Sequence, residues 1–250
     1  MMRKAATNMT MPGPGEARPP ESGEPGIREQ EAGAPGTAMP GGPRTPGASR
    51  AGYLDMRVGE FLDELAAAQP DPGGGSAAAL AVALAAALCA MTAELSARRL
   101  AHAPQLAADA RGLLRRAAPL AQADADAYGG VLAAQRAPDE PAGRPRRQRI
   151  SAALAHASAA PLEVAEIGDR VAALATEIAA GGNPSVRGDA LTAARLAAAA
   201  AQAAAALVRI NLAGVPDDPR SAQASHLADR AARLAAQAES HAGDAVRAGN

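Results

Sequence analysis

The chain has 250 residues, a net charge of −1, and 48% hydrophobic but only 1% aromatic residues. It lacks the basic excess and the stacking rings that nucleic-acid binding uses, so nucleic acid is not expected as a partner. Its one cysteine, Cys89, excludes an intrachain disulfide framework and fits a reducing, cytoplasmic setting.

Composition changes sharply near residue 50. Residues 1–52 repeat Pro and Gly in PGPG, GEPG, GAPG and PGGP, with too few large apolar residues to offset the entropy of ordering. They are read as a disordered tail. Arg3 and Lys4 are followed by no apolar run, so neither a secretory signal nor an anchor is expected. Residues 53–250 are dominated by Ala, with Leu, Val and Ile for bulk and no β-branched or aromatic runs that would make strands. The expected fold class is all-α, an antiparallel bundle of long Ala-rich helices.

Asp55 can cap a short helix that carries Val58, Phe61, Leu62 and Leu65 and stops before Pro70. PDPGGGS then makes a turn, and Ser76 or the glycines before it start a second helix reaching about Arg99. Leu80, Leu84, Leu88, Met91 and Leu95 fall on one face of it and are expected in the core. Ser76 to Ala93 is uncharged and nearly long enough to span a membrane. Its alanine content and periodic leucines favour a buried bundle helix, and no membrane partner is expected.

A third helix is expected from about Pro104 to Arg136, kinked at Pro119. Leu106, Leu113, Leu120 and Val131 face inward on it, and Arg111, Arg115 and Arg116 face outward. After the connecting segment APDEPAGRPRR, a fourth stripe runs through Ile150, Leu154, Ala157, Pro161, Val164, Val171, Leu174 and Ile178, with a bend at Pro161. Gly181 and Gly182 end that helix, and Asn183 and Pro184 open the fifth, which continues to Ile210 or Leu212. GVPDDPRS precedes a last helix with Leu227, Ala231, Leu234, Ala238 and His241 on one face.

Small side chains let helix axes approach to about 8 Å. Each alanine buries little area, so the alanine faces of the second and fifth helices need a further covering surface, and a homodimer or larger oligomer is expected.

Several candidates have a structural and a chemical reading side by side. Gly73, Gly74, Gly75 and Ser76 can form a turn and an N-cap, or present free N–H groups to an anion. Asp124 and Tyr128 share a helix face, while Asp126 is expected in solvent. Arg98 and Arg99 suit a helix C-terminus, and Asp189 suits a helix start, through the dipole alone. Asn211 can cap a backbone carbonyl. His102, His156, His226 and His241 are scattered, and Glu163 and Glu166 lack histidine partners, so no metal and no cofactor is expected.

Six segments in order resemble the cyclodeaminase/cyclohydrolase family over most of residues 58–240. They are FLDELA (Phe61 to Ala66), PDPGGGSAAA (Pro70 to Ala79), DADAY (Asp124 to Tyr128), APLEVAE (Ala160 to Glu166), GNPSVRGDA (Gly182 to Ala190) and VRINL (Val208 to Leu212). The family's lysine-rich stretch after the second helix is replaced here by LSARRLAH, and Gly188 stands where its motif has serine.

The resemblance implies a helical-bundle dimer that binds folate between subunits, with a tetrahydrofolate derivative as substrate. The implied activity is formiminotetrahydrofolate cyclodeaminase or methenyltetrahydrofolate cyclohydrolase. On that reading Asp189 is the general acid/base, and Gly73, Gly74, Gly75, Ser76, Arg98, Arg99, Asp124, Asn183 and Asn211 bind substrate. Asp124 would meet the pterin edge, and an arginine would meet the glutamate tail. The alternative is a non-catalytic folate-binding or structural helical dimer of the same fold.

Overall fold

A computed structural model describes residues 52–138 and 145–248, with side chains followed as far as Ala242. The expected tail, apart from residue 52, and the middle of the APDEPAGRPRR connection lie outside the described residues. Among the described residues there are eight α-helices and no strand. The all-α bundle is therefore as expected, and it falls within one compact unit, Ser49–Asn250.

After a 3-10 turn at Tyr53–Asp55, α1 (Val58–Ala66) is held at its start by Glu60, whose carboxylate accepts the Arg57 N–H at 3.0 Å. Tyr53 packs edge-on against Phe61 with ring centroids 5.5 Å apart. Next come α2 (Gly74–Leu95), α3 (Ala103–Ala117), α4 (Leu120–Arg136), α5 (Arg146–Ala157), α6 (Ala159–Gly181), α7 (Arg187–Asn211) and α8 (Pro219–Ala248). A 3-10 turn, Pro184–Val186, leads into α7.

Two expected helices are each divided. The third is broken at Ala118–Pro119 into α3 and α4, because Pro119 cannot donate to the preceding turn. The fourth is interrupted at Ser158 rather than bent at Pro161, which falls within the first turn of α6. The proline lies where helices tolerate it, since a first-turn N–H has no intrahelical partner. The inward residues Leu106, Leu113, Leu120 and Val131 are all buried.

Helix α7 packs against α2, α6 and α8, and its buried face is Ala190, Ala193, Ala194, Ala197, Ala198, Ala200, Ala201, Ala204 and Ala205 with Val208. The crossing with α6 is closest at Gly168, where an added Cβ would lie 2.8 Å from the Ala197 carbonyl oxygen and 3.0 Å from the Ala201 Cβ. Helix α2 contributes Ala78, Ala79, Val82, Ala83, Ala85, Ala86, Cys89, Ala90 and Ala93 to the same core. Burial pushes the Cys89 thiol up to about 12, so it stays a neutral packing group.

This packing overturns the expectation for Leu84, Met91 and Leu95 of α2. Leu84 is 62% exposed and Leu95 53%, Met91 is also exposed, and Leu80 and Leu88 are half-buried. A narrow crossing leaves room for methyl groups but not isobutyl groups, so the alanine face turns inward, Leu80 and Leu88 pack at the edge of the core, and Leu84 and Leu95 lie outside. Two segments, Gly74–Leu95 and Pro184–Asn211, are long and apolar enough to cross a bilayer, and half or more of each apolar window is buried within the bundle.

The contrast between two helical glycines tests this account. An added Cβ at Gly112 of α3 would meet nothing within 4 Å. Gly112→Ala should therefore raise stability by up to about 1 kcal/mol through helix propensity. Gly168→Ala should lower it by about 1–3 kcal/mol through overpacking, despite the same propensity gain. Urea unfolding of both variants measures the pair; changes of equal sign would show that the α6–α7 crossing is not limited by the glycine.

Candidate functional site

The turn Pro70–Gly73 delivers the chain into α2 with Gly73 as N-cap, and no N-cap side chain bonds the first-turn N–H groups. A residue from another helix takes that position. The carboxylate of Asp124, on α4, lies against Gly75 so closely that an added Cβ there would be 2.1 Å from its Oδ1. Gly75 is thus the gap through which Asp124 reaches the start of α2. Ser76 is not the N-cap; it is fully buried, and its hydroxyl donates to the Ala121 carbonyl at 2.7 Å, tying α2 to α4.

A cavity of about 260 Å³ opens at this point. Asp71, Gly73, Gly74, Gly75 and Asp124 form its polar side, together with Tyr128 and Asn211, while Ala157, Leu207 and Ile210 supply apolar wall. Asp126 points elsewhere and accepts from Gln122 at 2.8 Å. Burial raises the Asp124 carboxyl above its ordinary value, and the negative charge of Asp71 adds to the rise. The Ser76 backbone N–H opposes both.

Asn211 has a structural task at the cavity edge. Pro161 carries no N–H to satisfy the Ala157 carbonyl four residues earlier, and the Asn211 side-chain amide donates to that oxygen at 3.4 Å. Nearby, Arg220 donates to the Ala155 carbonyl at 2.7 Å while its other donors grip Asp218. These hydrogen bonds hold Asp218 well below the usual carboxylate range. They also pin the connection before α8 to the end of α5.

The other expected site residues gather at the opposite end of α2. Arg98 and Arg99 are exposed in the turns that follow Leu95, where α2 ends short of the expected Arg99. Asn183 donates its amide to the Leu95 carbonyl at 3.2 Å and accepts from the Ser185 N–H, so its side chain serves the fold. Its backbone N–H donates to the Ser96 hydroxyl at 2.9 Å, and Gly182 leaves room for that hydroxyl. Asp189 is half-buried in the first turn of α7.

With 22 residues in α2, the two groups are separated by about 30 Å along the helix. Gly73, Gly74, Gly75, Asp124 and Asn211 share the cavity within one chain, and Arg98, Arg99, Asn183 and Asp189 do not.

The sequence reading missed Asp71, which the PDPGGGS turn brings to the cavity two residues before Gly73. A second acid flanking a glycine-rich turn was its available signal. Glu163 pairs with Arg116, and Glu166 accepts from Gln223, as a structural pair would. Among the described residues no three His, Cys, Asp or Glu side chains come together as a metal site.

Fold and cavity define a helical-bundle protein with a cavity of polar and apolar lining at a helix start. The chain belongs to the formiminotransferase-cyclodeaminase family, whose model matches residues 57–230. It is 34% identical over 167 residues to methenyltetrahydrofolate cyclohydrolase of Methylorubrum extorquens, a match spanning 63% of this chain and 79% of that relative. The crystal structure of formiminotetrahydrofolate cyclodeaminase from Thermotoga maritima shares the fold, with a TM-score of 0.69 and 21% identity over 77% of this chain and 98% of that one. The names in this family point to an enzyme of cyclohydrolase or cyclodeaminase type.

The raised Asp124 carboxyl has a consequence for stability. The folded chain holds that proton to a higher pH than the unfolded chain, whose aspartates ionise near 3.9. Between those values the folded state binds more protons, so this contribution to stability falls as pH rises. Asp124→Asn lacks the ionisation. The melting temperature of the parent minus that of the variant should therefore fall as pH is raised from 4 towards neutrality, and a difference independent of pH would remove the proton from Asp124.

Proposed function

We propose that the chain is a tetrahydrofolate one-carbon enzyme working at the cavity where α2 begins, as formiminotetrahydrofolate cyclodeaminase or methenyltetrahydrofolate cyclohydrolase. Family membership supports the substrate class. The observation that carries the chemistry is the Asp124 carboxyl, half-buried beside Asp71 in a cavity with both polar and apolar walls.

Both reactions pass through a tetrahedral carbon. The cyclodeaminase lets the aminobenzoyl nitrogen attack the formimino carbon and expels ammonia; the cyclohydrolase adds water to the methenyl carbon and breaks one C–N bond. Each needs a group that gives and takes a proton near neutral pH, for which a carboxyl needs its pKa raised. Burial and Asp71 shift the Asp124 carboxyl in that direction within one chain, and in this proposal it takes the acid/base role in place of Asp189.

Methenyltetrahydrofolate absorbance selects between the reactions: loss after addition of protein means cyclohydrolase, and gain from the formimino compound means cyclodeaminase. Asp124→Asn should lower turnover by about a hundred- to ten-thousandfold with folate binding retained. Asp71→Asn should move the pH limit of activity downward, since it removes a charge that raises Asp124. Parent-like turnover in Asp124→Asn would end this assignment, and inactivity of the parent on both folates would favour a non-catalytic folate-binding dimer.

The protein forms a homodimer in this proposal, covering the exposed Leu84, Met91 and Leu95 of α2 with the same face of a second copy. Antiparallel pairing of two α2 helices would set the Arg98, Arg99 and Asp189 end of one copy beside the Asp124 cavity of the other. The expected residues would then form one site. A cytoplasmic setting, with the buried Cys89 reduced, completes the proposal.

Leu84→Glu should shift the light-scattering mass from dimer to monomer and abolish turnover. If both aspartates serve one intersubunit site, equal mixing of inactive Asp124→Asn and Asp189→Asn subunits should restore activity to about a quarter of the sites by symmetry. A monomeric, fully active parent would overturn the dimer.

A further inference from the structure

The chain holds only three aromatic residues, two tyrosines and one phenylalanine. Tyr53 and Phe61 pack against each other, which leaves Tyr128. It lines the cavity at the start of α2 and is 38% exposed. Beyond the first turn, α1 and α2, the large apolar side chains left exposed among the described residues are Tyr128 and Ile210, the latter at 66%. Both border this one cavity.

The two side chains reach the cavity from separate walls. Helix α4, which carries Tyr128, packs mainly on α2 and α5, whereas α7, which carries Ile210, packs mainly on α2, α6 and α8. Leu207, half-buried, lies one turn before Ile210 on the same wall. Apolar surface left in water at the mouth of a cavity is surface that a ligand's own apolar face would cover favourably.

Size and spacing say which part of a folate belongs there. The cavity, of about 260 Å³, is smaller than the about 300–1,000 Å³ of pockets that enclose drug-sized ligands, so a folate would lie only partly inside it. Asp71, Asp124 and the glycine turn form its polar part, and Tyr128, Leu207 and Ile210 its apolar part. Asp124 and Tyr128 stand four residues apart on one face of α4, about 5–6 Å between Cβ atoms. A ring stacked on Tyr128 is then one helical turn from the Asp124 carboxyl. In tetrahydrofolate the aminobenzoyl ring is bonded directly to one of the two nitrogens that carry the methenyl bridge, which suits that short separation.

Resting on the folate reading above, we infer that Tyr128 and Ile210 clamp the aminobenzoyl ring, Tyr128 stacked on one face and Ile210 with Leu207 against the other, while the pterin enters the polar part of the cavity. The reverse orientation would set the pterin's N–H and C=O groups against Ile210 and Leu207, and the apolar benzene ring against two carboxyls. Tyr128 is in this account a positioning residue: it holds the one-carbon bridge at Asp124 and favours pterins that carry the aromatic arm over those that lack it.

Calorimetry on the full-length protein compares tetrahydrofolate with 6-methyltetrahydropterin, which lacks the aminobenzoylglutamate arm. Tyr128→Ala should weaken tetrahydrofolate about tenfold or more and the pterin less than about twofold. Tyr128→Phe keeps the ring and should stay within about twofold of the parent, and Ile210→Ala should weaken tetrahydrofolate by a smaller factor than Tyr128→Ala. Alanine is a good helix former, so the melting temperature and light-scattering mass of Tyr128→Ala should match the parent. Equal weakening of both ligands, a loss in Tyr128→Phe as large as in Tyr128→Ala, or parent-like tetrahydrofolate binding in Tyr128→Ala would overturn the clamp and leave the folate reading standing. So would a parent that binds tetrahydrofolate but no pterin at millimolar concentration, or a lower mass in Tyr128→Ala, which would assign the ring to a subunit contact. A parent that binds neither compound would end the folate reading and the clamp with it.

Discussion

The close approach of α6 to α7 at Gly168 sets the shape of the remaining core. Side chains larger than a hydrogen do not fit between Gly168 and the Ala197 carbonyl, so neighbouring turns of α7 must also be small, and they are alanines. Helix α2, packed on α7, meets the same limit and turns Ala78, Ala79, Ala85, Ala86 and Ala93 inward. Each such residue buries little apolar area. Leu84 and Leu95, whose bulk would compensate, are left exposed on the outside of α2.

The cavity at the start of α2 depends on local repairs to the backbone. Pro161 frees the Ala157 carbonyl, and Asn211 covers it; Gly75 omits a side chain, and Asp124 enters the gap. Ser76 fixes the distance between α2 and α4 by its bond to Ala121. Three of the family-like segments therefore act first on the fold, and the polar groups that remain directed at the cavity are few: Asp71, Asp124 and Tyr128 with the glycine N–H groups. The same holds at the other end of α2, where Asn183 and Ser96 join α2 to the turn before α7.

Helix content, the break at Pro119 and the helix end at Gly181 and Gly182 were legible in the sequence, because alanine content, that proline and the paired glycines act locally. The interruption at Ser158 was not, since Pro161 is tolerated in a first turn. Burial was legible where one face combined large and small residues, as at Leu106 and Leu113. It failed on α2, where both faces are apolar and a leucine stripe outweighs an alanine stripe in any hydrophobicity reading. Deciding between them required the width of the crossing at Gly168, which is a property of two helices together. Asp169 escaped notice for a similar reason: an acid amid GDRVAAL has no local mark of burial, and its partner Arg230 lies 61 residues away.

The balance of forces on Asp124 bears on why two acids stand at one helix start. A carboxylate there normally gains from N–H groups and from the helix dipole, and as a cap it would be held ionised. The Ser76 N–H does act in that direction. Burial and Asp71 act against it and prevail, so the carboxyl is held more protonated than an ordinary aspartate. A fold that needed only a cap would be served by Asp124 alone, since Asp71 makes its charged form less favourable. Burial and the second acid thus shift Asp124 in the direction that the acid–base role proposed for it would use, beside a cavity with both polar and apolar walls.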